Sequence, residues 1–143
     1  MYIEDFRRML RDLGCYDFRV VSNRKIELNN SEIEEMAGMI DFFSMTIRAF
    51  KLNDLEDACE DYGQSAVYLG TIPECPHSFM LDGQHNFQAN TPLLVCGNTA
   101  SMIQNSRYKK HFKIIGNRNK HFGLFECSNT AECKDNSQGG SCC

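Results

Sequence analysis

Apolar side chains recur at Ile3, Phe6, Met9, Leu10 and Leu13 with arginines and aspartates between them. Spacings of three and four predict an amphipathic helix over residues 2–13, closed by Gly14 as a C-cap. It begins almost at the first residue, without a capping lead-in, which carries the expectation that the chain is cut from something longer. Residues 18–21 and 25–28 are short β-type runs around Ser22-Asn23, which suits a hairpin or two consecutive strands. Asn29, Asn30 and Ser31 then cap a short helix over 31–39, whose opening acids suit a helix N-terminus. From 42 to 52 the alternation of Phe43, Met45, Ile47 and Ala49 against Ser44, Thr46, Arg48 and Phe50 predicts a long strand.

The pattern over 62–72 alternates again, with Gln64, Ala66, Tyr68 and Gly70 on one side and Ser65, Val67, Leu69 and Thr71 on the other. It reads as a strand antiparallel to the one before it. Further short strands fall at 78–81, 93–96, 112–115 and 122–125, punctuated by Pro73, Pro76 and the turn signal Asp82-Gly83. His77 and His85 lie in loops and are expected at the surface. Asn98 or Thr99 should cap a helix over 99–106, entered directly from the strand at 93–96. These elements predict an α+β domain over 1–126: a mostly antiparallel sheet with a few helices packed on it. Residues 127–143 lose all apolar period, and the composition predicts a flexible, cysteine-containing tail.

Length and charge narrow the function classes. The 143 residues fit one domain, and ten Phe, five Tyr and seven Met supply a core without any Trp. The net charge of -4 and the absence of a basic stripe with interleaved aromatics argue against nucleic acid. Lys109, Lys110 and Lys113 form a local basic cluster that reads as a solvated face. No run of about 18 apolar residues could span a bilayer and no basic-then-apolar leader opens the sequence, so no membrane partner and a cytoplasmic location are expected. Eight cysteines would suggest disulfides in a secreted chain. Ample apolar content and the missing leader favour reduced thiols instead.

Cys59 carries the candidate chemistry. It sits where an acidic approach, Glu56, Asp57, Glu60 and Asp61, meets the strand that follows, with no Lys, Arg or His adjacent in sequence. Such surroundings keep a thiol protonated, which excludes an activated nucleophile. A soft-ion ligand is less affected, because the bound ion drives deprotonation of the coordinating sulfur. Trivalent arsenic is easier still, since each hydroxide it loses carries away a thiol proton. A partly buried structural cysteine at a strand start fits the same pattern. Cys127, Cys133, Cys142 and Cys143 lack the Cys-x-x-Cys spacing of a structural zinc site, and no metal centre is assigned.

The residues from Leu55 to Thr71, the run Cys96-Gly97-Asn98-Thr99-Ala100-Ser101-Met102, the segment Ser106 to Phe112 and the segment His121 to Cys127 together resemble the C-terminal domain of the arsenite S-adenosylmethionine methyltransferases. The resemblance covers nearly the whole chain from Tyr2, and the double cysteine Cys142-Cys143 matches the family's tail. In that family trivalent arsenic is held by cysteine thiolates from different parts of the protein while S-adenosylmethionine donates a methyl group. The resemblance implies that Cys59 is one arsenic-binding cysteine, with Cys142 and Cys143 as possible accessory thiols. A second family ligand, in a Cys-x-Gly-Gly segment, lies ahead of the point at which this sequence starts.

Nothing in the sequence is a glycine-rich turn between strand and helix that could hold S-adenosylmethionine. The chain alone is therefore expected to bind no cofactor and to be inactive. Its implied partners are trivalent arsenic, as arsenite or methylated arsenicals, and the S-adenosylmethionine-binding domain of a parent enzyme. The alternative is a stand-alone thiol-rich module that binds a metal or metalloid, or another protein, without catalysis.

Overall fold

The computed structural model describes residues 1–126 of the chain. Its elements run α1 (Ile3–Asp12), β1 (Asp17–Ile26), α2 (Ser31–Ala37), β2 (Phe42–Phe50), β3 (Glu60–Asp61), β4 (Gln64–Tyr68), β5 (Ser78–Met80), β6 (Asn86–Gln88), β7 (Pro92–Val95), α3 (Gly97–Gln104), a 3-10 turn at Lys109–His111, β8 (Phe112–Ile115) and β9 (Gly123–Leu124). The class is α+β with antiparallel ladders, as the periodicity predicts. The tail over 127–143, with Cys142 and Cys143, lies outside the described residues.

The core forms around β4, the middle strand of the order β7-β4-β8. Gln64, Ala66 and Tyr68 are buried and Ser65 and Val67 half-buried, because successive side chains leave a strand on opposite faces. Tyr68, Phe79, Tyr108, Phe87 and Phe112 stack into an aromatic cluster with ring centroids 5.0 to 5.9 Å apart. Each such ring, removed from water, stabilises the fold by roughly 2–3 kcal/mol. The hairpin of β5 and β6 sets Phe79 opposite Phe87 and closes over this cluster. On the other side α3 buries every residue from Gly97 to Ile103.

Among the described residues the strands are divided among four antiparallel sheets rather than one continuous sheet. The run predicted over 62–72 breaks at Gly63 (φ 64°) and ends before Gly70 (φ 67°), left-handed positions that glycine adopts without steric cost. Residues 18–21 and 25–28 do not turn on each other at Ser22-Asn23. They form one continuous strand, β1, which pairs with β2 from Asp17↔Phe50 to Ile26↔Phe42 and shifts register between Val20 and Ser22. Ser22-Asn23 lacks the glycine of a tight hairpin turn, and β2 offers the apolar partner.

Among the described helices only α3 packs into the main core. Helix α1 lies on the β1–β2 ribbon, where the Phe6 and Phe18 rings meet edge-on at 6.0 Å and the Arg7 guanidinium sits 5.8 Å from the Phe18 ring. Helix α2 is capped by Asn30, whose side chain accepts from the Glu32 and Ile33 amides at 3.0 and 3.2 Å, but it buries none of its residues.

A charged network joins the ribbon to the core. Arg19, wholly buried, donates from Nε to Met102 Sδ and from Nη2 to Thr99 Oγ1, both at 3.3 Å. Its Nη2 is 3.3 Å from Asp17 Oδ2, and its Nη1 is 3.9 Å from Asp82 Oδ2. His85, expected at the surface, is buried, with Nδ1 2.8 Å from Asp82 Oδ1. The buried carboxylate explains the difference, since it replaces the water that a loop histidine would otherwise require. Burial pushes the Asp82 carboxyl up, but hydrogen bonds from His85 and from the Gln84 and His85 amides outweigh it and hold Asp82 below the usual range. For Asp17 burial prevails over Arg19 and its carboxyl is raised.

Candidate functional site

Cys59 stands half-buried in the connection between β2 and β3. Its carbonyl accepts from the Phe125 amide at 2.7 Å, and the next two residues pair with β9 as Glu60↔Leu124 and Asp61↔Gly123. The strand side of the loop is thereby fixed. The approach side is fixed by α3: Asn98, 2 % exposed, accepts from the Glu56 amide through Oδ1 and donates to the Glu56 carbonyl through Nδ2, each at 2.7 Å. Cys59 is thus held on a loop with both ends anchored and is only half-buried. Cys59 is disulfide-bonded in this structure, which departs from the expectation of reduced thiols.

The acidity around Cys59 is partly answered by residues remote in sequence. His121 Nε2 lies 2.7 Å from Glu60 Oε2, and its ring sits 5.3 Å from that of Tyr62. The Tyr62 hydroxyl donates to Glu56 Oε1, and this bond, the leading cause, raises the Tyr62 hydroxyl above its ordinary value. Arg118 reaches over the Tyr62 ring at 5.4 Å, donates to the Gly97 carbonyl and Ser101 Oγ at 2.8 Å, and lies 3.9 Å from Glu56 Oε2. Arg118 and His121 are the residues that sequence reasoning missed as partners of Glu56 and Glu60, the acids on either side of Cys59. Both come from the segment leading into β9, and no periodicity links that segment to Glu56 or Glu60.

The other described cysteines, Cys15, Cys75 and Cys96, are free thiols. Cys96 is buried and caps α3, with Sγ accepting from the Thr99 amide at 3.4 Å. This corrects the assignment of the cap to Asn98 or Thr99, since Asn98 is committed to Glu56. Among the described residues no cluster of three or more His, Cys, Asp or Glu side chains could hold a metal ion. The strand–turn–helix at β7 and α3 has a single glycine, Gly97, and the space beside it is filled by Tyr62 and Glu56, which a Cβ would meet at 2.8 and 3.0 Å. No described helix is long and apolar enough to cross a membrane.

Fold and site define an α+β domain that presents one cysteine on a doubly anchored acidic loop. Residues 62–143 match the arsenite methyltransferase C-terminal domain, a match that opens just after Cys59. An arsenite methyltransferase of Aquipseudomonas alcaligenes is 44 % identical over 126 residues, which are 88 % of this chain and 36 % of that protein. The Rattus norvegicus arsenite methyltransferase is 29 % identical over 114 residues, 78 % of this chain and 30 % of the relative. A crystal structure of an arsenic (III) S-adenosylmethionine methyltransferase from Chlamydomonas reinhardtii superposes with a TM-score of 0.82 at 44 % identity, covering 87 % of this chain and 42 % of that one. The chain belongs to the arsenite methyltransferase family and comprises its C-terminal domain. It spans about a third of the length of the curated relatives it matches.

Proposed function

We propose that Cys59 supplies one thiolate ligand to trivalent arsenic within a longer, cytoplasmic arsenite methyltransferase. The observation that supports this reading most is the anchoring of a half-buried cysteine by Asn98 and Phe125 on either side. Ligation is an exchange: the thiol proton leaves with an arsenic-bound hydroxide as water, and an arsenic–sulfur bond forms. Arg118 lies against the Glu56 carboxylate and the His121 ring against that of Glu60, so the arsenic ligand need not form beside wholly unpartnered carboxylates. The Cys59 disulfide must be reduced first.

One sulfur does not make a tight trivalent arsenic site. The remaining ligands, and the binding of S-adenosylmethionine as methyl donor, are assigned to the rest of the longer protein. Cys142 and Cys143 serve as accessory thiols. On this reading the isolated chain holds arsenicals weakly and yields no methylated product.

The test is a titration of phenylarsenical, in reducing buffer, into the chain, its Cys59→Ser variant and a chain ended at Glu126. Binding should fall at least tenfold in Cys59→Ser and weaken only partly in the shortened chain, which lacks the accessory thiols. Undiminished binding by Cys59→Ser, or loss only on shortening, overturns the assignment.

A further inference from the structure

Gln64 opens β4 and is 4 % exposed, yet its side-chain oxygen has no hydrogen-bond partner among the described residues. Leaving such a group unmade costs stability, so a buried glutamine of this kind calls for a reason. Gln64 borders a cleft of about 240 Å³ that is enclosed by Asp54, the C-terminal half of α3 and residues 116–118. Gly116 brings that last segment against the glutamine. At φ 93° a Cβ there would meet the Gly63 carbonyl oxygen at 3.2 Å and the Gln64 Cα at 3.3 Å, so glycine is what permits the approach.

The cleft suits a polar ligand and, within that class, one that brings hydrogen-bond donors. Among the described lining residues Ala100 is the one apolar side chain, which leaves nothing to hold a hydrocarbon group. The cation of the cleft is already engaged: Arg118 donates from Nη1 to the Asp54 carbonyl at 3.2 Å and from Nη2 to the Gly97 carbonyl and Ser101 Oγ, each at 2.8 Å, and its charge lies 3.9 Å from Glu56 Oε2. The acceptors are not. Among the described residues the Asp54 carboxylate enters no ion pair. It receives Asn105 Nδ2 at 3.1 Å on Oδ2, which leaves Asn105 Oδ1 able to accept. The last turn of α3 borders the same space, and the C-terminal end of a helix favours positive charge.

We propose that this cleft binds a small molecule through a primary ammonium group, whose three N–H donors are taken by the Asp54 carboxylate, the Gln64 side-chain oxygen and Asn105 Oδ1. The terminal torsion of a glutamine is soft, so the covered oxygen can turn toward an arriving donor. An anion would meet the Asp54 charge and find Arg118 committed to other groups. A quaternary ammonium would carry the right charge but no N–H to give. The cleft shares Arg118 and Asp54 with the approach to Cys59, but the proposal requires no arsenic and does not depend on the assignment of that cysteine.

The experiment titrates ethanolamine, protonated at neutral pH, into the 143-residue chain at constant ionic strength and follows the side-chain amides by heteronuclear NMR. Choline, which keeps the hydroxyl and the charge but has no N–H, and potassium chloride are the parallel titrants. Ethanolamine should shift the Gln64 and Asn105 side-chain signals along a saturating curve, and the other two should not. Asp54→Asn should weaken binding about tenfold, the loss expected of a charge-assisted hydrogen bond. Gln64→Met should abolish saturation and raise the Tm, because an apolar side chain replaces an unmade buried oxygen. Should Gln64→Met fail to fold, Asp54→Asn decides alone. Absence of a saturating response to ethanolamine overturns the proposal, as does an equal response to choline. An equal response to potassium also overturns it, since the site would then take any monovalent cation. Cys59→Ser should leave the ethanolamine curve unchanged, which keeps this result separate from that of the phenylarsenical titration.

Discussion

Replacing Asn98 by alanine removes both hydrogen bonds that fasten the Glu56 peptide to α3. Each intramolecular hydrogen bond contributes a net of about 0.5–1.5 kcal/mol, and leaving a buried polar group unmade costs about 1–3 kcal/mol. Glu56 is only half-buried, so water can reach its peptide groups once the clamp is gone, and the lower part of the range applies. Asn98→Ala should therefore destabilise the fold by about 2 kcal/mol, or roughly 8 °C in Tm for a chain of this size. Asn117→Ala, which removes an exposed side-chain acceptor for the Asn119 amide, serves as control and should cost less than about 0.5 kcal/mol. Because Cys59 follows Glu56 by three residues, hydrogen exchange over 55–59 should rise in Asn98→Ala at temperatures where β4 remains protected. The assays are calorimetry and exchange mass spectrometry. A Tm within about 2 °C of the parent, with unchanged exchange over 55–59, would refute the view that Asn98 holds the Cys59 loop.

Two further outcomes follow from the buried charges. Arg19→Met leaves Asp17 and Asp82 facing each other without their cation, and urea denaturation should show a loss of about 3–5 kcal/mol, the usual cost of removing one partner of a buried pair. Asp82 has its folded carboxyl held low, so its contribution is present above the unfolded-state value and disappears as pH falls through the folded one. Asp82→Asn should flatten the acid limb of a stability–pH curve measured by thermal unfolding. Asp17, shifted upward, acts with the opposite sign: it favours the fold at acid pH and loses that contribution as pH rises through its raised folded value.

The α+β class and the positions of β4, β5, β7 and β8 could be read from periodicity, because Ala66, Tyr68, Phe79, Val95 and Phe112 follow the local apolar pattern, whereas β6 with Phe87 was not among the expected strands. The Asn30 cap could be read for the same reason, since a cap acts within one helical turn. The residues of the arsenite methyltransferase resemblance were likewise visible as contiguous segments. What failed were expectations that depended on partners distant in sequence. Ser22-Asn23 reads as a turn until β2 is found alongside, His85 reads as a surface loop until Asp82 is found to be buried with it, and Asn98 reads as a cap until Glu56 occupies its side chain.

The amino-acid sequence alone determined that a thiol would stand among carboxylates where a loop enters a strand, because that depends only on neighbours along the chain. Only the tertiary structure decided what the carboxylates and backbone of that loop meet. Arg118 and His121, more than fifty residues away, arrive through the pairing of β3 with β9, and Asn98 arrives through the packing of α3. Hydrogen bonds and charge pairs act over a few ångströms of space and carry no periodic trace along the chain, so their partners become visible only when the chain is folded.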